Sequence, residues 1–255
     1  MVTWRSLLAS LCFLTALSGA ETPTNANSLP VLTVDQVISK ARAAIAKEPA
    51  FLERMKGLHL EASAVSIEGK KAGTTILQLI APCKRRQITY NGDHTSEEIV
   101  CCNGLEGWIK QTLLSKNQSR LSIMRFEVVR SVRDMAENDL TVYTAPAPEV
   151  GTVTYEGIQE IKGRPTYALK YTYKSGFNLT RYFDAQTFLA AGADQVTPEG
   201  KVQRQQIDEI TWVDGLAFTK KESIIVDGKK ILDVTYDNII VNPTVEASSF
   251  AFPDR

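Results

Sequence analysis

The chain has 255 residues, with 29 lysines and arginines against 29 aspartates and glutamates, and 44% of it is hydrophobic. A formal net charge of zero leaves no bulk field to draw in nucleic acid or anionic lipid, so neither is expected as an electrostatic partner. The length suits one large domain that buries about 70% of the surface its unfolded chain exposes, without calling for a second.

Residues 1–20 carry Arg5, an apolar core from Leu7 to Leu17, and small Ser18 and Ala20 at the minus-three and minus-one positions of a cleavage site. This is the pattern of a secretory signal peptide, and its apolar core is shorter than the roughly 20 residues a bilayer span needs. Leu11 stands before Cys12 where a lipid-attachment signal has a small residue, so a diacyl anchor is not expected. The mature chain is expected to be a soluble monomer in the periplasm. Residues 21–31, small, polar and proline-containing, read as a disordered leader, and residues 32–255 as a single β domain.

Thr33-Val34-Asp35-Gln36 fits a capping box, and Val34, Val37, Ile38, Ala41, Ala44 and Ile45 recur at helical spacing until Pro49 ends the run. From His59 to Ile67 the period changes to two. A local meander follows: an apolar strand from Thr74 to Ile80 stopped by Ala81-Pro82, then Lys84 to Tyr90, a turn at Asn91-Gly92, Ile99 to Cys102, and Asn103-Gly104 leading into Trp108. Leu121, Met124, Val128, Val132 and Met135 then repeat at three and four residues, which predicts an inserted amphipathic helix over 121–135, and 138–150 reads as a loop.

Tyr167, Leu169, Tyr171 and Tyr173 alternate with Thr166, Ala168, Lys170 and Thr172, the mark of a strand with one dry face. Five further strands, Phe177 to Phe183, Phe188 to Val196, Val202 to Val213, Leu216 to Val226 and Lys229 to Val241, continue it, with Asp214-Gly215 and Asp227-Gly228 as tight hairpin turns. The total is about eleven strands, mostly β in an α+β chain, and a twisted sheet of that size must curl, close or be covered.

Cys83, Cys101 and Cys102 remain after cleavage, in a compartment where disulfides persist. If the hairpin turns at residues 91–94, Cys83 faces Cys102, and a one-residue shift gives Cys101 instead. Three buried free thiols are the other reading. Neither the cysteine spacing nor the two histidines, His59 and His94, make a metal-ligand set. No nucleophile elbow, phosphate-binding glycine loop or His-Glu-x-x-His is present, so neither an enzyme nor a cofactor is expected. Lys84-Arg85-Arg86 reads as charge on a solvated strand face or edge.

The order of these parts resembles the bacterial lipoprotein-localisation (LolA/LolB) and RseB-type periplasmic superfamily. The matching features are the leading helix, Pro82 after a strand, Asn103-Gly104 before Trp108, the inserted helix, Gly157, Gly163-Arg164, Tyr182-Phe183-Asp184 and Phe250-Ala251-Phe252-Pro253. The resemblance implies a large curved, incompletely closed antiparallel sheet, a half-barrel, with an N-terminal helix and a helical lid over an apolar cavity for acyl chains. Two positions depart from it: Ala81 stands where the carrier has a lid-tethering arginine, and Asn103 where its turn has aspartate.

On this reading the chain is a periplasmic carrier or sensor of a lipidic ligand, a lipid or the acyl chains of a lipoprotein. Trp108, Ile123, Met124, Phe126, Tyr171 and Phe183 are the candidate lining, since adaptable apolar side chains suit such a hollow. The competing reading makes the same scaffold a regulatory module for a membrane-associated protein partner, with those residues in an ordinary core. A filled interior would favour it.

Overall fold

The structure, a computed structural model, describes residues 29–197 and 200–253. The expected signal peptide and residues 21–28 of the expected leader lie outside the described residues. Helix α1 (Val34–Ile45) starts as its capping box requires: Thr33 Oγ1 accepts from the Gln36 amide at 3.2 Å and Gln36 Oε1 accepts from the Thr33 amide at 2.9 Å. Its Val37, Ile38, Ala41 and Ile45 are buried. Pro49 ends that run but also opens a short helix α2 (Pro49–Arg54), because the first helical turn needs no proline N–H.

Six strands follow: β1 (Gly57–Ser66), β2 (Lys71–Ile80), β3 (Lys84–Asn91), β4 (Ser96–Cys102), β5 (Gly107–Leu113) and β6 (Gln118–Ile123). Helix α3 (Phe126–Thr141) separates them from β7 (Gly151–Ile161), β8 (Arg164–Tyr173), β9 (Asn178–Asp184), β10 (Ala190–Val196), β11 (Val202–Val213), β12 (Leu216–Val226) and β13 (Lys229–Val241). All thirteen lie in one antiparallel sheet in the order 6-5-4-3-2-1-13-12-11-10-9-8-7. It is two meanders joined at their inner ends by the β1–β13 pair, and the sheet curves without closing. The far edges, β6 and β7, are bridged in sequence by α3. Asn242 fixes the non-local seam, accepting at Oδ1 from the amides of Lys56 (2.6 Å) and Gly57 (3.1 Å).

The expected mostly β half-barrel is present, and the two strands beyond the expected eleven are its edges. β6 is polar and largely exposed, so it has no apolar alternation to read. In β7 the alternation of Val153 and Tyr155 is broken by Gly157, whose φ of 93° sits at a register shift between Tyr155 and Ile158. The inserted helix is displaced from the expected 121–135: Leu121 belongs to β6, opposite Lys110, and the helix runs on to Thr141. Asn138 and Asp139, polar residues that read as the start of a loop, are instead buried helix positions.

Strand parity divides the sheet into two faces. Leu58, Leu60, Leu77, Leu79, Tyr167, Leu169, Tyr171, Tyr173, Phe183 and Val234 belong to one core cluster with α1 and the second half of α3, on the concave face. On the opposite face Ile88, Ile99, Cys101 and Trp108 pack under Phe250, which arrives in a 3₁₀ turn at residues 247–250.

The cysteine pairing is corrected. The β3–β4 turn takes Gly92 to Thr95, so Arg85 pairs with Cys102 and Arg86 with Cys101, while Cys83 stays in the turn before β3. All three cysteines are buried free thiols. Burial pushes the Cys101 thiol up to about 12 and raises Cys102 as well.

Candidate functional site

Helix α3 crosses the concave face, and its two halves are held differently. The N-cap, Arg125, offers no side-chain hydrogen bond, and Phe126 and Val128 in the first turn are exposed. Toward the C-terminus Ala136, Asn138, Asp139 and Leu140 are buried. Arg42 of α1 caps that end, with Nη1 donating to the carbonyls of Thr141 (2.7 Å) and Val142 (2.5 Å) and to Thr144 Oγ1 (2.9 Å). A cation on the last carbonyls satisfies groups the helix leaves unpaired and matches the sign of its dipole.

Beneath that half lies a buried polar set. Arg181 of β9, 1% exposed, donates to Asn138 Oδ1 at 2.6 Å and places Nη2 3.7 Å from Asp139 Oδ1. Asn138 donates to Tyr173 Oη at 2.8 Å, and Tyr171 Oη to the Tyr143 carbonyl at 2.8 Å. Arg85 of β3 is buried too, donating to Gln87 Oε1; burial lowers its pKa and the Asp139 charge opposes that. This overturns the solvated reading of Lys84-Arg85-Arg86. Parity turns Arg85 inward under α3, while Arg86, on the other face, donates to Gln78 Oε1 at 3.3 Å. Asp139 therefore lies between cationic strands from both meanders.

Two hollows open on this part of the molecule, one beside the first half of α3 and one away from it on β3–β6. A groove of about 420 Å³ is lined by Leu105, Gly107, Ile123, Met124, Phe126, Val129 and Phe252. Leu105 (82% exposed), Ile123 (75%) and Phe126 (67%) leave large apolar surface at its rim. Met124 forms its floor, its amide donating to the Gly107 carbonyl at 2.8 Å. A Cβ at residue 107 would lie 2.5 Å from Met124 Sδ, so a larger residue there would push the Met124 side chain out of its present position. The second hollow, about 800 Å³, opens at the opposite ends of β3–β6 and is lined by Thr89, Asn91, Ser96, Glu98, Gln111, Leu113 and Arg120 among others, mostly polar residues whose carbon atoms nevertheless supply most of its surface.

Three of the six residues singled out from sequence, Ile123, Met124 and Phe126, thus meet in one groove, whereas Trp108, the cross-strand partner of Ile123, does not line it and packs under Phe250. Tyr171 and Phe183 do not join them. Both are fully buried, Tyr171 bonded to the Tyr143 carbonyl and Phe183 edge-on to the Tyr143 ring at 5.0 Å. Leu105 and Phe252 were missed; the signal available for Leu105 was a large apolar residue in a turn directly after Asn103-Gly104, where polar residues are the rule. The polar hollow was missed altogether.

No family model matches the chain, and no curated protein matches it. Its structure is similar to that of a DUF1329 family protein from Desulfovibrio piger, with TM-score 0.54, 13% identity, and 86% of this chain and 97% of that one covered. It is similar to an outer membrane lipoprotein-sorting protein domain from Vibrio parahaemolyticus (TM-score 0.53, 10% identity, 86% and 97% covered). A LolA superfamily protein from Nitrosomonas europaea gives TM-score 0.52 at 8% identity, with 87% and 99% covered. At these identities the shared property is the fold, and the sequence resemblance to the LolA-type superfamily holds at that level.

Proposed function

We propose that this protein is a periplasmic carrier or sensor that binds the acyl chain of a lipid or lipoprotein in the groove at the start of α3. The observation that supports this most is the groove itself, in which Leu105, Ile123, Phe126 and Phe252 expose apolar surface around Met124. Its volume falls within the range of small-molecule sites. An acyl chain burying eight methylenes there gains roughly 6 kcal/mol, before the cost of association, with no catalytic residue required. The fold shared with the lipoprotein-sorting domain from Vibrio parahaemolyticus is consistent with this reading.

A second reading has a specific observation in its favour. The interior behind α3 is occupied by Tyr143, Tyr167, Tyr171 and Phe183, which suits a module that docks an apolar protein segment in the groove rather than one that encloses a lipid. A titration separates the two. With Trp212→Phe isolating Trp108 in the chain from residue 21, a long-chain fatty acid is expected to shift tryptophan emission saturably. Phe126→Glu should abolish the shift by placing a charge against the chain, at a desolvation cost of several kcal/mol. Unchanged emission at saturating fatty acid, in protein stripped of lipid, would favour the docking module.

A further inference from the structure

On the concave face, β3–β6 change character from one end to the other. Each rank of cross-strand partners is two residues, or about 7 Å, beyond the last. The first rank, Arg85, Cys102 and Gly107, is buried under α3. The second, Gln87, Val100, Ile109 and Ser122, is half-buried, and its Val100 and Ile109 pack against the cluster of Cys102, Met124 and Val129. The third, Thr89, Glu98, Gln111 and Arg120, is wholly polar, half-buried except for the exposed Arg120, and it lines the 800 Å³ hollow. Gly107 at the groove and Gln111 in the hollow lie on one strand and one face, four residues or about 13 Å apart, with the partly exposed Ile109 between them.

The charges in the third rank are arranged with a spacing. Glu98 and Arg120 flank Gln111, two strand separations or about 10 Å from each other in register. Gln111 Nε2 donates to Glu98 Oε2 at 2.5 Å, which fixes the carboxylate on the inner side. Arg120, exposed on the edge strand, has no hydrogen bond or ion pair to another side chain among the described residues, so its guanidinium fork faces the hollow uncommitted. Thr89 and Ser96 add hydroxyls beside the carboxylate. A carboxylate held by Gln111 and an uncommitted guanidinium, about 10 Å apart with Gln111 between them and the half-buried Ile109 two residues along the strand, fit a ligand of opposite polarity at each pole.

We infer that the hollow binds the zwitterionic head group of a phospholipid-like ligand, with its phosphate at Arg120 and its ammonium at Glu98. This deepens the acyl-binding reading and rests on it: the chain of the same molecule runs past Ile109 toward Met124. A guanidinium fork matches phosphate oxygens two at a time, which a lone ammonium cannot do.

Calorimetry with short-chain, monomeric dihexanoyl phospholipids tests it, using Arg120→Gln and Glu98→Gln with thermal melts as folding controls. The wild type should bind the phosphatidylethanolamine at least fivefold more tightly than the phosphatidylglycerol. Arg120→Gln should weaken both by about tenfold. Glu98→Gln should weaken only the ethanolamine lipid, erasing the preference. Equal affinity for the two lipids in the wild type, or wild-type affinity in Arg120→Gln, overturns the assignment. Phosphoethanolamine without acyl chains, bound as tightly as the lipid, would overturn the lipid as the source of the head group. Decanoic acid is the separating arm: its binding with no head-group preference refutes this inference alone, whereas its failure to bind refutes the acyl reading beneath it.

Discussion

Asp139→Asn removes one negative charge from between two buried cations while keeping the side chain's shape. Asp139 is 1% exposed, Arg181 1% and Arg85 3%, so solvent cannot replace the lost charge. At the 3.7 Å separation of Arg181 Nη2 from Asp139 Oδ1, and an effective dielectric constant of about 20, the pair interaction is about 4 kcal/mol. Leaving a buried charge uncompensated costs about 3–5 kcal/mol in comparable sites, in agreement with that figure. For a domain of this size each kcal/mol lowers Tm by about 2–4 °C, so a drop of roughly 10 °C is expected. Urea unfolding should show a lower midpoint with an unchanged slope, since the surface exposed on unfolding is the same. The set joins β3, α3 and β9, so the loss should appear in global unfolding rather than in fraying of α3 alone. A change under about 1 kcal/mol would refute the claim that this ion set anchors the second half of the helix.

Glu222 of β12 supplies a pH test. It is 1% exposed, and burial raises its carboxyl to about 8 despite the hydrogen bond from Tyr236 Oη at 3.1 Å. The folded chain then keeps a proton that the unfolded chain has lost, so stability should be greatest below the unfolded carboxylate pKa, fall from about pH 4.5 to pH 8, and level off above that. Glu222→Gln should flatten that decline in urea midpoints measured from pH 5 to 9, and an unaltered slope would refute it. For the cysteines, thiol counting on denatured, non-reduced protein should find Cys83, Cys101 and Cys102 all free. In the native state they should react slowly, because burial keeps Cys101 and Cys102 protonated.

Much of the sheet could be read from local chemistry. Asp214-Gly215 and Asp227-Gly228 announced their hairpins because a two-residue primed turn needs positive φ at both positions, and they adopt 49° and 79°, and 49° and 77°. The capping box at Thr33 is equally local. What was not legible depends on partners distant in sequence. β6 is a strand only because β5 offers it an edge, and Asn138 and Asp139 are helical because Arg181, some 40 residues on, receives them. The β3–β4 register shows how a small error propagates. Placing the turn one residue early, at 91–94 in place of 92–95, shifts the pairing by two residues, which kept every side chain on its correct face but gave Cys102 the wrong neighbour, Cys83 in place of Arg85. Ile123, Met124 and Phe126 were found together because they are adjacent in sequence, whereas Tyr171 and Phe183 have the composition of a ligand pocket and the packing of a core. The polar rank of Thr89, Glu98, Gln111 and Arg120 needs three registers at once to be seen.

Native mass spectrometry of the secreted protein, before and after organic extraction, tests acyl binding at the α3 groove most directly. The account predicts an adduct with the mass of an acyl lipid that extraction removes, that returns on adding phospholipid, and that is lost in Phe126→Glu with folding intact. Protein that emerges and remains at its bare chain mass when phospholipid is supplied, or an adduct that Phe126→Glu leaves in place, would contradict it.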